Sequence, residues 1–235
     1  MRRKLQLAAV ALMLTIGAST IYAQFPPLKR DKHETEDLSW LWQYTQPAPE
    51  GSENGFTNDR RFAEFLRRHL TASQTFWGDG TKKLADVAIE FLAVPGIARA
   101  DDNRYFTATG CVPHFCPARG MLFVDTAGSR PLVVFAAIDW SRESHNIEED
   151  SAEYTLWIFP DRSLAGLDSA DQTPHLPLPL KRSLGLFSSE LKGGKVPPLV
   201  THAFVVDPDG KPHEIPASDT GVTRFHDSQP VAPAA

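Results

Sequence analysis

The chain has 235 residues, 42% hydrophobic and 23% charged, with 24 Lys and Arg against 29 Asp and Glu for a formal net charge of -5. That is enough apolar material for one domain and an appendage. With no basic stripe to neutralise phosphates, nucleic acid is a poor partner.

The N-terminus reads as an export signal. Arg2, Arg3 and Lys4 precede an apolar and small-residue run from Leu5 to Ile21, and Tyr22-Ala23 ends in a residue suited to signal-peptidase cleavage. The run is short for a membrane span and is diluted by Gly17, Ser19 and Thr20. No cysteine follows it closely, which argues against a lipid anchor, and no second long apolar run follows, so the mature chain is expected to have no membrane span. Removal of residues 1–23 takes away three cations and no anion, moving the formal charge from -5 to -8. A periplasmic or secreted acidic chain suits a basic partner, since opposite fields speed encounter.

Residues 24–57 form an N-terminal extension rich in Pro, Gly and charge, within which Trp40, Leu41, Trp42 and Tyr44 are expected to pack on the core. Residues 58–71 predict an amphipathic helix: Asn58 as cap, Phe62, Phe65, Leu66 and Leu70 on one face, and Arg60, Arg61, Arg67 and Arg68 on a solvated remainder. Strand-like runs follow at Val87–Val94, Arg104–Ala108, Met121–Asp125, Leu132–Ile138 and Tyr154–Phe159. The first is the weakest of them, because Leu84, Val87, Ala88 and Phe91 also fit a helix. Turns are expected at Asp101-Asp102-Asn103 and Ala127-Gly128-Ser129-Arg130, and a longer charged loop at Ser141–Asp150. Short links between strands favour an antiparallel meander with a helix on one face, an α+β fold.

Beyond Pro160, Asp161–Leu167 predicts a short helix and His175–Leu180 an extended proline-rich crossing. Leu199–Val206, the turn Asp207-Pro-Asp-Gly210 and Lys211–Ile215 predict a hairpin ahead of a Pro- and Ala-rich tail. The organisation expected is thus a signal at 1–23, an extension at 24–57, an α+β domain at 58–168 and a proline-rich C-terminal extension at 169–235.

Both cysteines lie in Gly110-Cys-Val-Pro-His-Phe-Cys-Pro117. Four residues between them do not suit a redox pair, which has two. Zinc on Cys111, His114 and Cys116 would want a fourth ligand and reduced thiols, and haem attachment wants His directly after the second Cys. In an oxidising compartment a Cys111–Cys116 disulfide remains. So small a ring adds only about 2 kcal/mol of loop entropy, so its use is to hold a side chain in place and reduce the ordering cost of binding. Pro113 fixes its own backbone and pushes Val112 toward extension. His114, with a donor or acceptor at each ring nitrogen, is the candidate contact on a loop protruding between two strands. No catalytic constellation or cofactor motif accompanies it. His33, His69, His145, His175, His202, His213 and His226 are scattered, His202 reads as a packed strand residue, and Glu148-Glu149-Asp150 as a solvated loop.

Arg104-Tyr-Phe-Thr-Ala-Thr-Gly-Cys-Val-Pro-His-Phe-Cys116, Arg119-Gly-Met-Leu-Phe-Val124 and Leu132-Val-Val-Phe-Ala-Ala-Ile-Asp139 together resemble the Ivy family, periplasmic inhibitors of vertebrate c-type lysozyme. The resemblance covers roughly residues 85–168. It implies a sheet of about five antiparallel strands flanked by helices, with a Cys-Lys-Pro-His-Asp-Cys loop whose histidine meets the catalytic Glu and Asp in the target cleft. Cys111, Pro113, His114 and Cys116 carry over directly, whereas Val112 and Phe115 replace the family's Lys and Asp. The implied partner is c-type lysozyme or a lytic transglycosylase, and the implied protein is a non-enzymatic inhibitor without cofactor. A homodimer is also compatible with the sequence. The competing expectation is an envelope-binding or structural protein whose stapled loop is only a stable turn.

Intact mass of exported material is expected to show a chain beginning at Gln24 and lighter by two hydrogens than its reduced form. Two alkylatable thiols in native material would reject the pairing.

Overall fold

A computed structural model describes residues 36–45, 53–141, 144, 151–164, 175–190 and 196–226. The expected signal 1–23, His33, His145, Glu148–Asp150 and the C-terminal tail lie outside them. Among the described residues no helix is long and apolar enough to cross a membrane.

The chain forms a 3-10 turn at Ser39–Thr45, helices α1 (Glu53–Phe56), α2 (Arg60–His69) and α3 (Leu84–Phe91), and strands β1 (Val94–Asp101), β2 (Tyr105–Val112), β3 (Phe115–Asp125), β4 (Leu132–Trp140) and β5 (Glu153–Pro160). Helix α4 (Leu178–Ser189), β6 (Leu199–Val206) and β7 (Pro212–Ile215) follow. All seven strands form one sheet in chain order. Every neighbouring pair is antiparallel except β5 and β6, which run parallel with α4 between them in sequence. The α+β expectation thus holds, but the sheet is larger than five strands and is not wholly antiparallel. The expected C-terminal hairpin is β6 and β7 of this same sheet.

Helix α2 begins one residue later than the expected cap. Asp59, not Asn58, is the N-cap, accepting from the Arg61 backbone N–H at 2.8 Å. Its carboxylate also accepts from the Arg61 guanidinium and the Tyr44 hydroxyl, and these bonds, the Arg61 side chain first, hold it well below the usual carboxylate range. Phe62, Phe65, Leu66 and Leu70 are buried as their spacing requires, and Trp40 and Leu41 pack into the same core. Fully burying such a side chain is worth about 1.5–3 kcal/mol.

Three expectations are corrected. Leu84, Val87, Ala88 and Phe91, at helical spacing, are all buried on α3, so the segment read as a strand is a helix. The strand comes afterwards as β1, an edge strand, where Pro95 is tolerated and the register shifts between Pro95 and Ala98. Asp161–Leu164, the described part of the expected short helix, is not helical; the Asp161 backbone N–H donates to Val133 O and extends the pairing of β5 with β4. The proline-rich crossing is extended only through Pro177. Pro179 then sits in the first turn of α4, where its missing N–H removes no intrahelical bond, and Leu180, Leu184 and Phe187 are buried at helical spacing.

The sheet is covered on both faces. Phe106, Ala108, Leu122, Val124, Val133, Phe135, Ala137 and Phe159 point to a core shared with α2, α3 and the 3-10 turn. Met121, Phe123, Val134, Ala136, Ile138, Leu156, Ile158, Ala203 and Val205 point to the other, under α4. The close approach of α3 depends on two facing glycines. Gly110 and Gly120 pair across β2 and β3. A Cβ at Gly110 would lie 2.6 Å from Leu92 Cα, and one at Gly120 2.8 Å from Phe91 Cβ.

Gly110→Ala is therefore expected to lift the end of α3 and to lower stability by about 1–3 kcal/mol, read as a fall in the denaturation midpoint. An unchanged midpoint would contradict this contact.

Candidate functional site

The two cysteines are bonded, with Cα atoms 4.9 Å apart. Cys111 pairs with Arg119 and Val112 with Phe115, so residues 116–118 form an extra arc on the β3 side that the disulfide closes. Pro113 and His114 make the turn between the strands. His114 has φ +62°, the left-handed value that the third residue of a type II turn adopts after proline. Pro113 and His114 are exposed, and His114 has no hydrogen-bonding or ionic partner among the described residues.

The neighbours of His114 behave differently. Val112 is 7% exposed and belongs to the core beneath α3, so it is not part of a polar contact surface. Phe115 is half-buried, its ring standing edge-on to Trp140 with centroids 5.4 Å apart. Cys116 is half-buried and Cys111 fully buried. Of the six loop positions singled out in the sequence, only Pro113 and His114 are exposed. The apolar residues that replace the Lys and Asp of the resembled loop anchor its base. A Lys at position 112 would bring its ammonium into apolar surroundings at the cost of desolvation.

Trp140, which Phe115 touches, also lines a cleft of about 470 Å³ on the face of the sheet that carries α3. Residues in register make two rows there. Asp139, Thr155 and His202 lie side by side on β4, β5 and β6, and next to them lie Trp157, Phe204 and Glu214 on β5, β6 and β7. Trp157 and Phe204 stack with centroids 4.7 Å apart, and Phe76 adds a third ring 5.5 Å from Trp157. His202 Nδ1 lies 3.0 Å from Glu214 Oε1. His202 is thus half-exposed in a cleft rather than packed in the interior. Sequence reasoning missed Asp139, Trp157, Phe204 and Glu214. The available signal was the alternation on β5 and β6, where the face that elsewhere carries apolar core residues bears Thr155 and His202 beside Trp157 and Phe204.

The remaining histidine of note is His69, buried at the end of α2. Its Nε2 is 2.8 Å from Glu36 Oε2 and its Nδ1 3.1 Å from Asp161 Oδ2. The Asp161 side chain is 1% exposed and also faces Arg130 at 3.8 Å and Arg162 at 4.0 Å, while Glu36 bonds Arg68. Burial alone would push the imidazolium pKa down. Hydrogen bonds to Asp161 and Glu36, and then their charges, more than offset that, so His69 titrates above its ordinary value. The clamp joins the segment before the 3-10 turn, the end of α2 and the end of β5. Both ring nitrogens are occupied, and no group of three or more His, Cys, Asp and Glu among the described residues is arranged to hold a metal ion.

The chain matches no family model, no curated protein and no solved structure.

The clamp holds imidazolium in preference to imidazole. Its contribution is complete below the unfolded pKa of about 6.5 and is lost as pH rises through the higher folded value. The wild-type melting temperature is expected to fall across that window, and His69→Gln, which cannot charge, to flatten the fall. Equal slopes in the two proteins would remove His69 as the cause.

Proposed function

We propose that the protein is a secreted or periplasmic inhibitor of c-type lysozyme or a related muramidase, acting by insertion of the stapled hairpin tip into the target's cleft. The observation that supports this most directly is His114: exposed, without a hydrogen-bonding or ionic partner among the described residues, and set at the apex of a turn closed by the Cys111–Cys116 disulfide.

A glycosidase cleft holds two carboxylates, one protonated and one ionised. An imidazole between them bonds to both, displaces the sugar and needs no chemistry of its own. The protein is on this reading not an enzyme and takes no cofactor. Pro113 and the disulfide fix the turn before contact, so little conformational entropy is lost on docking. The acidic balance favours encounter with a basic target.

A second reading has a specific observation behind it. Val112 in the core and Phe115 against Trp140 also fit a hairpin stapled for its own sake on an envelope-binding protein.

Inhibition of c-type lysozyme and of lytic transglycosylases separates the two readings. His114→Ala and His114→Asn are both needed, because Asn tolerates the left-handed φ that costs Ala about 1–2 kcal/mol. Each is expected to weaken inhibition by about 2–5 kcal/mol, tens to thousands of fold, with the His114→Asn melting temperature unchanged. Inhibition that persists in His114→Asn, or its absence from the wild type against every muramidase tried, would leave the structural turn.

A further inference from the structure

We propose that the cleft over β4–β7 is a binding site for a neutral pyranose oligosaccharide, separate in function from the stapled tip. On this face α3 packs over β2, β3 and β4. Farther along the sheet, Trp157, Phe204 and His202 are left half-exposed, although the same face is otherwise closed by buried aliphatic and aromatic side chains. The opening measures about 470 Å³, within the usual range for small-ligand sites.

The class of ligand follows from the two rows. One row is apolar: Trp157 and Phe204 are in register on β5 and β6, with Phe76 packed against Trp157. The other row is polar and mixed in sense: carboxylate at Asp139, hydroxyl at Thr155 and imidazole at His202, with Glu214 closing the end of the aromatic row. A ligand that fits must offer an apolar face to the rings and, along its edge, groups that donate and accept hydrogen bonds at once. A pyranose does this with its C–H face and its hydroxyls.

A cationic ligand fits less well. Glu214 is already bonded to His202, and Asp139 has an interaction partner of its own, so a cation would have to displace existing contacts. A hydroxyl joins them instead, accepting from an N–H or O–H while donating to a carboxylate oxygen. An anion would face two carboxylates at the rim.

The cleft and the stapled tip lie at the same end of the sheet. The ends of β2 and β4 and the starts of β3, β5 and β6 meet there, and Trp140 touches both Phe115 and the cleft. A glycan held in the cleft would keep the tip close to the polymer on which muramidases act. The binding proposal itself does not need the tip to inhibit anything.

The test is calorimetric titration of the disulfide-bonded protein with chitotetraose and with cellotetraose, alongside wild-type, Phe204→Ser, Glu214→Gln and His114→Asn proteins of verified melting temperature. Saturable binding of either sugar at about 1 mM or tighter is expected in the wild type and in His114→Asn. Weakening of about tenfold is expected in Glu214→Gln, whose position is exposed and tolerant of change. Phe204→Ser is expected to weaken binding at least as much. No saturation with either sugar up to on the order of 10 mM would overturn the proposal, as would saturation that neither cleft variant alters. Muramidase inhibition by the Glu214→Gln protein, measured in parallel, is expected to equal wild type, which separates failure of the cleft from failure of the tip.

Discussion

The hairpin's position depends on one close contact between backbones. Gly110 and Gly120 face each other across β2 and β3, and only because neither has a Cβ can the end of α3, at Phe91 and Leu92, rest directly on both strands. The residue after Gly110 is Cys111, and the residue before Gly120 is Arg119, its partner in register. The stapled turn therefore begins where the sheet is held most tightly from one side. From the other side, Arg119 bonds the Glu190 carbonyl at the end of α4, and Glu190 also bonds Arg99 and Thr109. The base of the hairpin is gripped on both faces while its apex, Pro113 and His114, is exposed.

That division explains why a ring worth so little in global stability is worth closing. The disulfide does not hold the sheet together, since both hydrophobic cores extend well beyond it. It limits the conformations of the extra arc at residues 116–118, which the ladder hydrogen bonds with Cys111 and Val112 alone do not fix. Val112 directs the incoming strand into the core and Phe115 returns the outgoing one against Trp140. Between them Pro113 and His114 have no freedom to fold back. The exposure of His114 is thus a consequence of how its neighbours are buried.

The sequence was legible where one physical rule acted alone. Short runs rich in Val, Ile, Phe, Tyr and Trp marked β2 through β5, the turn Asp207–Gly210 marked the hairpin of β6 and β7, and the turn residues Asp102-Asn103, Gly128 and Gly210 each take positive φ. It was not legible where two rules conflicted. Residues 84–94 are apolar enough for either structure, and only packing against Gly110 and Gly120 settles α3 as a helix. Pro177 and Pro179 read as extended backbone because proline breaks helix interiors, yet proline is acceptable in the first turn, and Leu180, Leu184 and Phe187 supply the buried stripe that makes α4. With α4 unread, the parallel crossover from β5 to β6 was also unread, and the C-terminal hairpin looked like an appendage. At the candidate site the disulfide and the exposed turn position of His114 agree with the reading of the cysteine spacing. The roles of Val112 and Phe115 could not be read from it, because whether an apolar residue beside a turn faces a partner or its own core depends on the register of the bulge.

Two histidines show how placement divides structural from interactive chemistry. His69 lies between the carboxylates of Glu36 and Asp161, both supplied by its own chain, and its affinity for a proton goes into joining three segments of the fold. His114 has the same two ring nitrogens and no hydrogen-bonding or ionic partner among the described residues. The arrangement proposed for it in a muramidase cleft, an imidazole between two carboxylates, is the one that His69 already makes internally. In both, charge-assisted hydrogen bonds in a dry site offset the desolvation of the ring. The difference is that desolvation at His69 occurs on folding, whereas at His114 it would occur only on binding. On the proposed function, the energy of that interaction would be reserved for a partner carrying two carboxylates at the right separation, which would make the geometry of the target's acid pair, more than its fold or its surface charge, the property His114 selects.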